Sequence, residues 1–183
     1  MQSFNKATLG GGCFWCTEAV FQKLIGVNEV VPGYAGGKLA NPTYQDICSK
    51  TSGHAEVIQV EYDPAVISFE ELLEVFWTIH DPTTLNRQGN DVGPQYRSII
   101  LYHDDDQRKK AFLSKQQVAI QIYDDPITTE IVPLETFYLA EDYHHDYYLR
   151  NSFQPYCSVV INPKLSKFRK RFAHKIKSST INE

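Results

Sequence analysis

The chain has 183 residues, a formal net charge of −4 at pH 7 and an aromatic content of 13%. This length predicts one domain that can bury a hydrophobic core, and the acidic balance argues against bulk nucleic-acid binding. A membrane span would need a run of about 18 apolar residues, and none is present. The four cysteines are too few for a secreted disulfide scaffold, and the first residues lack the apolar core of a signal peptide. We therefore expect a cytoplasmic protein with reduced thiols.

The first half of the chain alternates predicted strands and helices. Alternating or valine-rich segments predict the strands, and apolar residues at helical spacing predict the helices. Ser68 before Phe69-Glu70-Glu71 is typical of a helix cap. The predicted elements are a strand at 6–10, a helix that starts near Cys13, strands at 27–34 and 56–62, and a helix at 69–80.

The second half contains a long polar loop at 80–95 and several predicted helices. In the last helix Phe168, Phe172 and Ile176 recur every four residues among many Lys and Arg. This spacing predicts an amphipathic helix with a solvated basic face, and not a nucleic-acid patch. The other predicted elements are a strand at 97–103, a helix at 104–123, a strand at 128–133 and a helix at 142–150.

Short strands and long loops favour an α+β fold over a regular parallel sheet. We expect a mixed or antiparallel sheet with packed helices, in the form of a ferredoxin-like core with long loops. The predicted organisation is a single catalytic domain over residues 1–183, with a core at about 7–157 and the basic helix at 164–177.

Cys13 follows two glycines and stands where the first amphipathic helix begins. Amide N–H groups and the positive end of the helix dipole gather at such a position, and both favour the nucleophilic thiolate. Phe14 and Trp15 come next and predict an apolar aromatic wall. This combination indicates chemistry on a small apolar group.

Cys16 makes a Cys-x-x-Cys pair with Cys13. The spacing fits a redox disulfide or half of a zinc site. Zinc would need two more ligands at short spacing, whereas Cys48 and Cys157 stand alone. We therefore predict neither a metal nor a cofactor.

Several carboxylates and hydroxyls could assist such a thiol. Glu56 starts a predicted strand, where it is either an exposed carboxylate or a general acid with a raised pKa, and the residues alone favour the exposed form. Asp91 and Tyr96 belong to the loop, where they either reach a ligand or fasten the loop itself. Two adjacent histidines on a helix diverge, so His144 and His145 are predicted to be structural.

Several motifs follow one another in a fixed order along the chain. They are Gly12-Cys13-Phe14-Trp15, Pro32-Gly33-Tyr34-Ala35-Gly36-Gly37, Pro42-Thr43-Tyr44, Gly53-His54-Ala55-Glu56, the loop from His80 to Ser98, and Ala140-Glu141-Asp142-Tyr143-His144. Together they resemble the peptide methionine sulfoxide reductases of the A type. The resemblance extends from about Ala7 to about Cys157.

The resemblance implies a role for each site residue. Cys13 is the nucleophile that attacks the sulfoxide sulfur and becomes a sulfenic acid. Glu56 protonates the sulfoxide oxygen, and Phe14 and Trp15 hold the S-methyl group. The residues implied to bond that oxygen or to support the site are Tyr44, Tyr96 and Asp91.

The resemblance also implies a recycling step. Cys157 is predicted to resolve the sulfenic acid, because it lies in a stretch without helical or strand periodicity that could move to the site. Cys16 is the alternative, since a cysteine three residues ahead on a helix can also pair with Cys13. Thioredoxin would then open the disulfide, and Cys48 has no predicted role.

The implied activity is the reduction of methionine S-sulfoxide, free or within proteins, and hence the repair of oxidised proteins. A monomer is predicted. Two other functions stay open, namely a general thiol–disulfide oxidoreductase using Cys13 and Cys16, and a non-catalytic zinc or interaction domain. Neither explains the loop motifs or Glu56.

Overall fold

A computed structural model describes residues 4–178. The strands of this part of the chain are β1 (Asn5–Gly10), β2 (Val27–Ala35), β3 (Ala55–Tyr62), β4 (Arg87–Gln88), β5 (Asp91–Val92), β6 (Ile99–Tyr102), β7 (Glu130–Pro133) and β8 (Phe137–Leu139). Six of them form one sheet in the order β7-β6-β1-β3-β2-β8, and β4 pairs with β5 in a separate hairpin.

The helices pack around this sheet. Their bounds are α1 (Phe14–Phe21), α2 (Tyr44–Cys48), α3 (Phe69–Ile79), α4 (Asp105–Ser114), α5 (Ile120–Ile122), α6 (Tyr147–Asn151) and α7 (Asn162–Phe172). Ser68 caps α3 as predicted: its Oγ accepts a hydrogen bond from the Glu71 backbone N–H, and the Glu71 carboxylate accepts one from the Ser68 N–H.

The central part of the sheet has the predicted ferredoxin-like form. The order along the chain is β1-α1-β2-β3-α3-β6, and the four strands lie side by side as β6-β1-β3-β2. All three contacts between them are antiparallel. At one edge β7 joins β6 in parallel, and at the other β8 joins β2 in antiparallel orientation, so the sheet is mixed.

Alternating side chains of the strands contribute to two hydrophobic clusters. Ile58 and Val60 of β3 belong to the larger cluster, together with the buried residues of α1, α3 and α7. Val57 belongs to a smaller cluster with Ile99 and Leu101 of β6. Because neighbouring residues of a strand point to opposite faces, Glu56 lies on the same face of β3 as Ile58. That face is the one on which α1 packs.

The structure corrects several predicted boundaries. The predicted helix at 142–150 is broken, because Asp146 adopts a left-handed φ of 53° before α6 begins. The predicted last helix begins earlier than expected, with a π-helical turn at Cys157–Ile161 that leads into α7. It also ends earlier, because α7 stops at Phe172 and a 3₁₀ turn follows at Ala173–Lys175. Cys157 is therefore helical and 0% exposed, so the predicted irregular, movable stretch is wrong. The elements missed by the sequence are short: α2, β4, β5 and β8.

No helix within residues 4–178 has the length and apolar character to cross a membrane. The C-terminal helix α7 instead packs on the core through Leu165, Phe168 and Phe172, which are all buried. Its basic residues lie on the remaining faces, as the four-residue spacing predicted.

Candidate active site

Cys13 is the N-cap of helix α1, three residues after the end of β1. Gly12 has a φ of +90°, and a Cβ atom there would lie 2.6 Å from Cγ of Gln88, so the turn requires glycine. The Cys13 carbonyl accepts a hydrogen bond from the Cys16 backbone N–H at 3.1 Å, which closes the first turn. Cys13 is only 6% exposed. The predicted helix start is confirmed, and the thiol lies in a buried position.

Glu56 of β3 lies beside this helix start. Its Oε2 accepts a hydrogen bond from the Phe14 backbone N–H at 3.1 Å, and the residue is 2% exposed. Burial disfavours the ionised carboxylate and raises the pKa of Glu56 to about 8, although the Phe14 N–H acts in the opposite direction. The residues alone favoured an exposed Glu56 carboxylate, and that prediction is wrong. The carboxyl is protonated at neutral pH and can act as a proton donor.

Two phenols from separate segments lie close enough to Glu56 to feel its charge. Tyr44 is the first residue of α2, which is capped by reciprocal hydrogen bonds between Thr43 and Asp46. Tyr96 ends a 3₁₀ turn at Pro94–Tyr96. Burial and then the nearby charge of Glu56 raise the pKa of both tyrosines, so both hydroxyls stay neutral donors over the physiological range.

Aromatic rings form a wall around the helix start. Trp15 stacks on Tyr147 with ring centroids 3.6 Å apart and planes 5° from parallel, and its Nε1–H donates to Nδ1 of His144 at 3.0 Å. The Phe14 ring lies 4.9 Å from the ring of His144. His144 is buried, and its Nε2 has no hydrogen-bond partner among the described residues, so its structural role stays a prediction. The predicted aromatic wall is present.

The thiols of Cys13 and Cys16 interact, and each shifts the pKa of the other. Burial, then the interaction with Cys16 and the charge of Glu56, raise the pKa of Cys13. The lowered pKa of Cys13 expected from the helix start is therefore wrong, because removal from water outweighs the helix dipole. The interaction with Cys13 acts in the opposite direction on Cys16, where it stabilises a thiolate and lowers the pKa to about 7.

Tyr156 was not predicted from the sequence, yet it contacts this pair. Its hydroxyl donates to Oδ2 of Asp91 at 2.8 Å and lies 4.0 Å from Sγ of Cys16. Its ring packs edge-on against Trp15 at 5.7 Å. Asp91 of β5 therefore reaches the site through Tyr156. The only sequence signal was the density of tyrosines between residues 143 and 156.

The remaining cysteines occupy different positions. Cys157 is fully buried, close enough to Cys16 for the two thiols to interact electrostatically. Cys48 is exposed at the end of α2, and its thiol interacts with the Tyr44 hydroxyl. Within residues 4–178, no group of three or more His, Cys, Asp or Glu side chains is arranged to hold a metal ion.

Comparisons with known proteins identify the same chemistry. Residues 5–176 match a family described as peptide methionine sulfoxide reductase. The peptide methionine sulfoxide reductase MsrA of Saccharolobus solfataricus is 58% identical over 171 residues, which cover 93% of this chain and 96% of that relative. Reduced Mxr1 from Saccharomyces cerevisiae superposes with a TM-score of 0.77 and 35% identity, over 84% of this chain and 89% of that chain. Mxr1 in complex with Trx2 gives a TM-score of 0.54 and 29% identity, over 79% of this chain and 84% of that chain.

These matches confirm the resemblance that the motifs indicated. The α+β fold is confirmed as well, because the sheet and its helices match a solved structure of a similar protein. The chain belongs to the peptide methionine sulfoxide reductase family, in its A type, and is an oxidoreductase that reduces methionine sulfoxide.

Proposed function

We propose that Cys13 and Glu56 carry out the reduction of methionine S-sulfoxide, free or within proteins. The observation that carries this proposal is the Phe14 N–H···Glu56 hydrogen bond, which holds a buried, protonated carboxyl beside the first residue of the helix that presents Cys13. A sulfoxide oxygen is a poor leaving group until it is protonated, so the reaction needs an acid beside the thiol.

In the first step Glu56 gives its proton to the sulfoxide oxygen while Cys13 attacks the sulfur. The S–O bond of the substrate breaks, and the oxygen is transferred to Cys13 as a sulfenic acid. The methionine sulfur is reduced by two electrons and the Cys13 sulfur is oxidised by two. The proton lost by the Cys13 thiol replaces the one that Glu56 donated, so atoms and charge balance.

The aromatic and phenolic groups orient the substrate. Tyr44 and Tyr96 are neutral hydroxyls that face Glu56, and we assign them hydrogen bonds to the sulfoxide oxygen. Phe14 and Trp15 form the apolar wall for the S-methyl group, with His144 and Tyr147 fixing the indole. A methyl group against aromatic rings is favoured over a charged or bulky substituent.

We assign the resolving role to Cys16, which was the alternative when the sequence was considered alone. Both cysteines are buried in helical segments, but Cys16 interacts with Cys13 itself, whereas Cys157 interacts electrostatically with Cys16. The Cys16 sulfur attacks the sulfenic sulfur, a disulfide forms and water leaves. Cys157 is the second candidate, because it could exchange with the new disulfide through Cys16.

A thioredoxin dithiol then reduces the disulfide and is itself oxidised. The complex of the similar protein Mxr1 with the thioredoxin Trx2 supports this assignment. A cytoplasmic monomer that binds neither nucleic acid nor membrane remains a prediction from composition.

A chiral assay of single epimers tests the activity. The reduced protein should convert the S epimer of a methionine sulfoxide peptide to methionine and leave the R epimer unchanged. Cys13→Ser should abolish the reaction, since a hydroxyl is far less nucleophilic toward sulfur. The matched control is Cys48→Ser, which changes an exposed thiol near Tyr44; serine can keep that contact, so activity should be retained. Conversion of the R epimer alone would contradict the A-type assignment.

Mass spectrometry of the protein after one turnover without reductant tests the resolver. We expect a Cys13–Cys16 disulfide in wild type, and a persistent sulfenic acid in Cys16→Ser that reacts with dimedone. Cys157→Ser should still form the Cys13–Cys16 disulfide. A Cys13–Cys157 disulfide in wild type would reverse the assignment.

A further inference from the structure

Tyr156 lies between the two cysteines and a carboxylate, and the proposed function gives it no role. Its hydroxyl donates its single proton to Asp91 at 2.8 Å. The Cys16 sulfur lies 4.0 Å from the same oxygen, whose lone pairs can accept a proton from a Cys16 thiol while its own proton is engaged with Asp91. The groups therefore form a continuous path from Cys16 S–H to the Tyr156 hydroxyl and on to the Asp91 carboxylate.

The position of this hydroxyl is determined by packing on several sides. The ring of Tyr156 contacts Trp15 edge-on, and the next residue, Cys157, is fully buried in the following helical turn. The path joins three separate segments: α1, the β4–β5 hairpin and the turn before α7. A hydrogen bond between residues 65 positions apart is not a local feature of a turn.

The resolving step needs a path for one proton. The thiolate is the nucleophile in disulfide formation, so Cys16 must lose its proton before or during attack on the Cys13 sulfenic acid. Among the described residues, the Cys16 thiol contacts the Tyr156 hydroxyl and interacts with Cys13. After the first step Cys13 is the electrophile, which leaves Tyr156 as the proton acceptor in contact.

We propose that Tyr156 is a catalytic residue of the resolving step, in which its hydroxyl accepts the Cys16 proton and passes its own proton to Asp91. This rests on the proposed role of Cys16 as resolver. The Cys16 sulfur then attacks the Cys13 sulfur, the S–S bond forms and the S–O bond of the sulfenic acid breaks. The departing hydroxide takes the proton back from Asp91 through the Tyr156 hydroxyl, which also interacts with Cys13, and leaves as water. No external oxidant or reductant takes part in this step.

The other charged and titratable groups that face Cys16 come from each element around it. They are Cys13 of α1, Glu56 of β3, Lys164 of α7 and Cys157 of the turn before α7. Lys164 favours the thiolate through space, and Asp91 opposes it. A proton acceptor that contacts Cys16 should therefore affect the rate of disulfide formation most below the Cys16 pKa of about 7, where the thiol is protonated.

Single-turnover kinetics of Tyr156→Phe test the proposal, with reduced protein, a methionine S-sulfoxide peptide and no reductant. The two rate constants compared are methionine formation and Cys13–Cys16 disulfide formation, the latter followed by trapping sulfenic acid with dimedone. We expect the rate constant of disulfide formation to fall by at least about tenfold relative to that of methionine formation, as for the loss of a positioned proton acceptor. Tyr148→Phe is the matched control, since its hydroxyl donates to Asn162 and not to the cysteines. Its ratio should equal that of wild type.

The pH dependence separates proton transfer from a structural role. Disulfide formation in Tyr156→Phe should accelerate with pH and approach the wild-type rate above about pH 9, where solvent deprotonates Cys16 without help. Equal slowing of both steps at every pH, or an unchanged ratio, would overturn the proposal. If Tyr156→Phe does not fold by circular dichroism, Asp91→Asn removes the terminal acceptor and is judged by the same ratio.

Peptide mapping of the same samples distinguishes the two ways of failing. A Cys13–Cys157 disulfide in wild type would mean that Cys16 is not the resolver, and both proposals would fall. A Cys13–Cys16 disulfide that forms in Tyr156→Phe with the wild-type ratio would overturn the role of Tyr156 alone.

Discussion

Two buried carboxyls are associated with helix α1. Glu56 of β3 lies where the helix begins, and Glu18 is a residue of the helix itself. Glu56 is 2% exposed and Glu18 is 1% exposed, and burial raises their pKa values to about 8 and about 7. Each accepts a backbone N–H, that of Phe14 at 3.1 Å and that of Asp146 at 2.9 Å. Only Glu56 also faces Cys13 and the two phenols. A raised pKa therefore does not identify a catalytic acid, and the neighbouring groups do.

Glu18 instead holds the segment that supports the aromatic wall. Its bond to the Asp146 N–H stabilises a residue in the left-handed region, and Gln22 Nε2 donates to the Asp146 carboxylate at 2.7 Å. Tyr147, next in the chain, stacks on Trp15. The same helix thus presents the nucleophile at its start and anchors the wall along its side.

The largest expected difference between the two carboxyls is in the rate of the chemical step. Glu56→Gln should lower single-turnover methionine formation about 10²-fold or more, the usual loss for a general acid. Glu18→Gln should stay within about threefold of wild type, because the amide oxygen can still accept the Asp146 N–H. Rapid-quench measurements on both variants check this. Equal losses would show that the two sites are not functionally distinct.

The pH profile should show the same contrast. Glu56 must be protonated to act, so the rate should fall as pH rises above about 8, by about tenfold per pH unit. This descending limb should persist in Glu18→Gln and be absent from Glu56→Gln. If the rate of Glu56→Gln fell at the same pH, the titrating group would be a residue other than Glu56. Profiles of kcat/KM between pH 5 and pH 10 are the measurement.

A smaller effect is expected from the supporting segment. Tyr147→Leu removes the ring stacked on Trp15, and such a pair contributes about 0.5–1.5 kcal/mol beyond its buried area. We expect KM for the sulfoxide to rise about three- to tenfold, with a smaller change in kcat. Tyr148→Leu is the control, since Tyr148 is outside the wall. A fall in kcat at constant KM would mean that the stack acts on the chemistry.

The last comparison concerns stability, where the two carboxyls should behave alike. Both have a folded-state pKa above the ordinary 4.5, so the free energy of unfolding is highest below pH 4.5 and falls as pH rises toward 7. Each contributes a slope of up to about 1.4 kcal/mol per pH unit in that interval. Glu18→Gln should remove about half of the combined slope. Urea titrations at several pH values would contradict this if the slope were unchanged.

Local patterns were sufficient for much of the fold. The glycine turn before Cys13, the cap at Ser68 and the alternation in β3 each depend on neighbours within a few residues, and all three were predicted correctly. The four-residue spacing of Phe168 and Phe172 likewise predicted the buried face of α7. The continuous helix predicted at 142–150 is wrong, because Glu18 and Gln22 hold a break at Asp146 and lie more than 120 residues earlier in the chain.

The sequence by itself determined which family this chain belongs to and which residues can supply a thiol, an acid and hydroxyls, because residue type and motif order carry that information. Only the tertiary structure decided how those groups titrate and which of them meet. Burial set the pKa values of Cys13 and Glu56, and burial is a property of the whole packed core. The contacts of Tyr156 with Asp91 and Cys16 join distant parts of the chain, so no local pattern could reveal them.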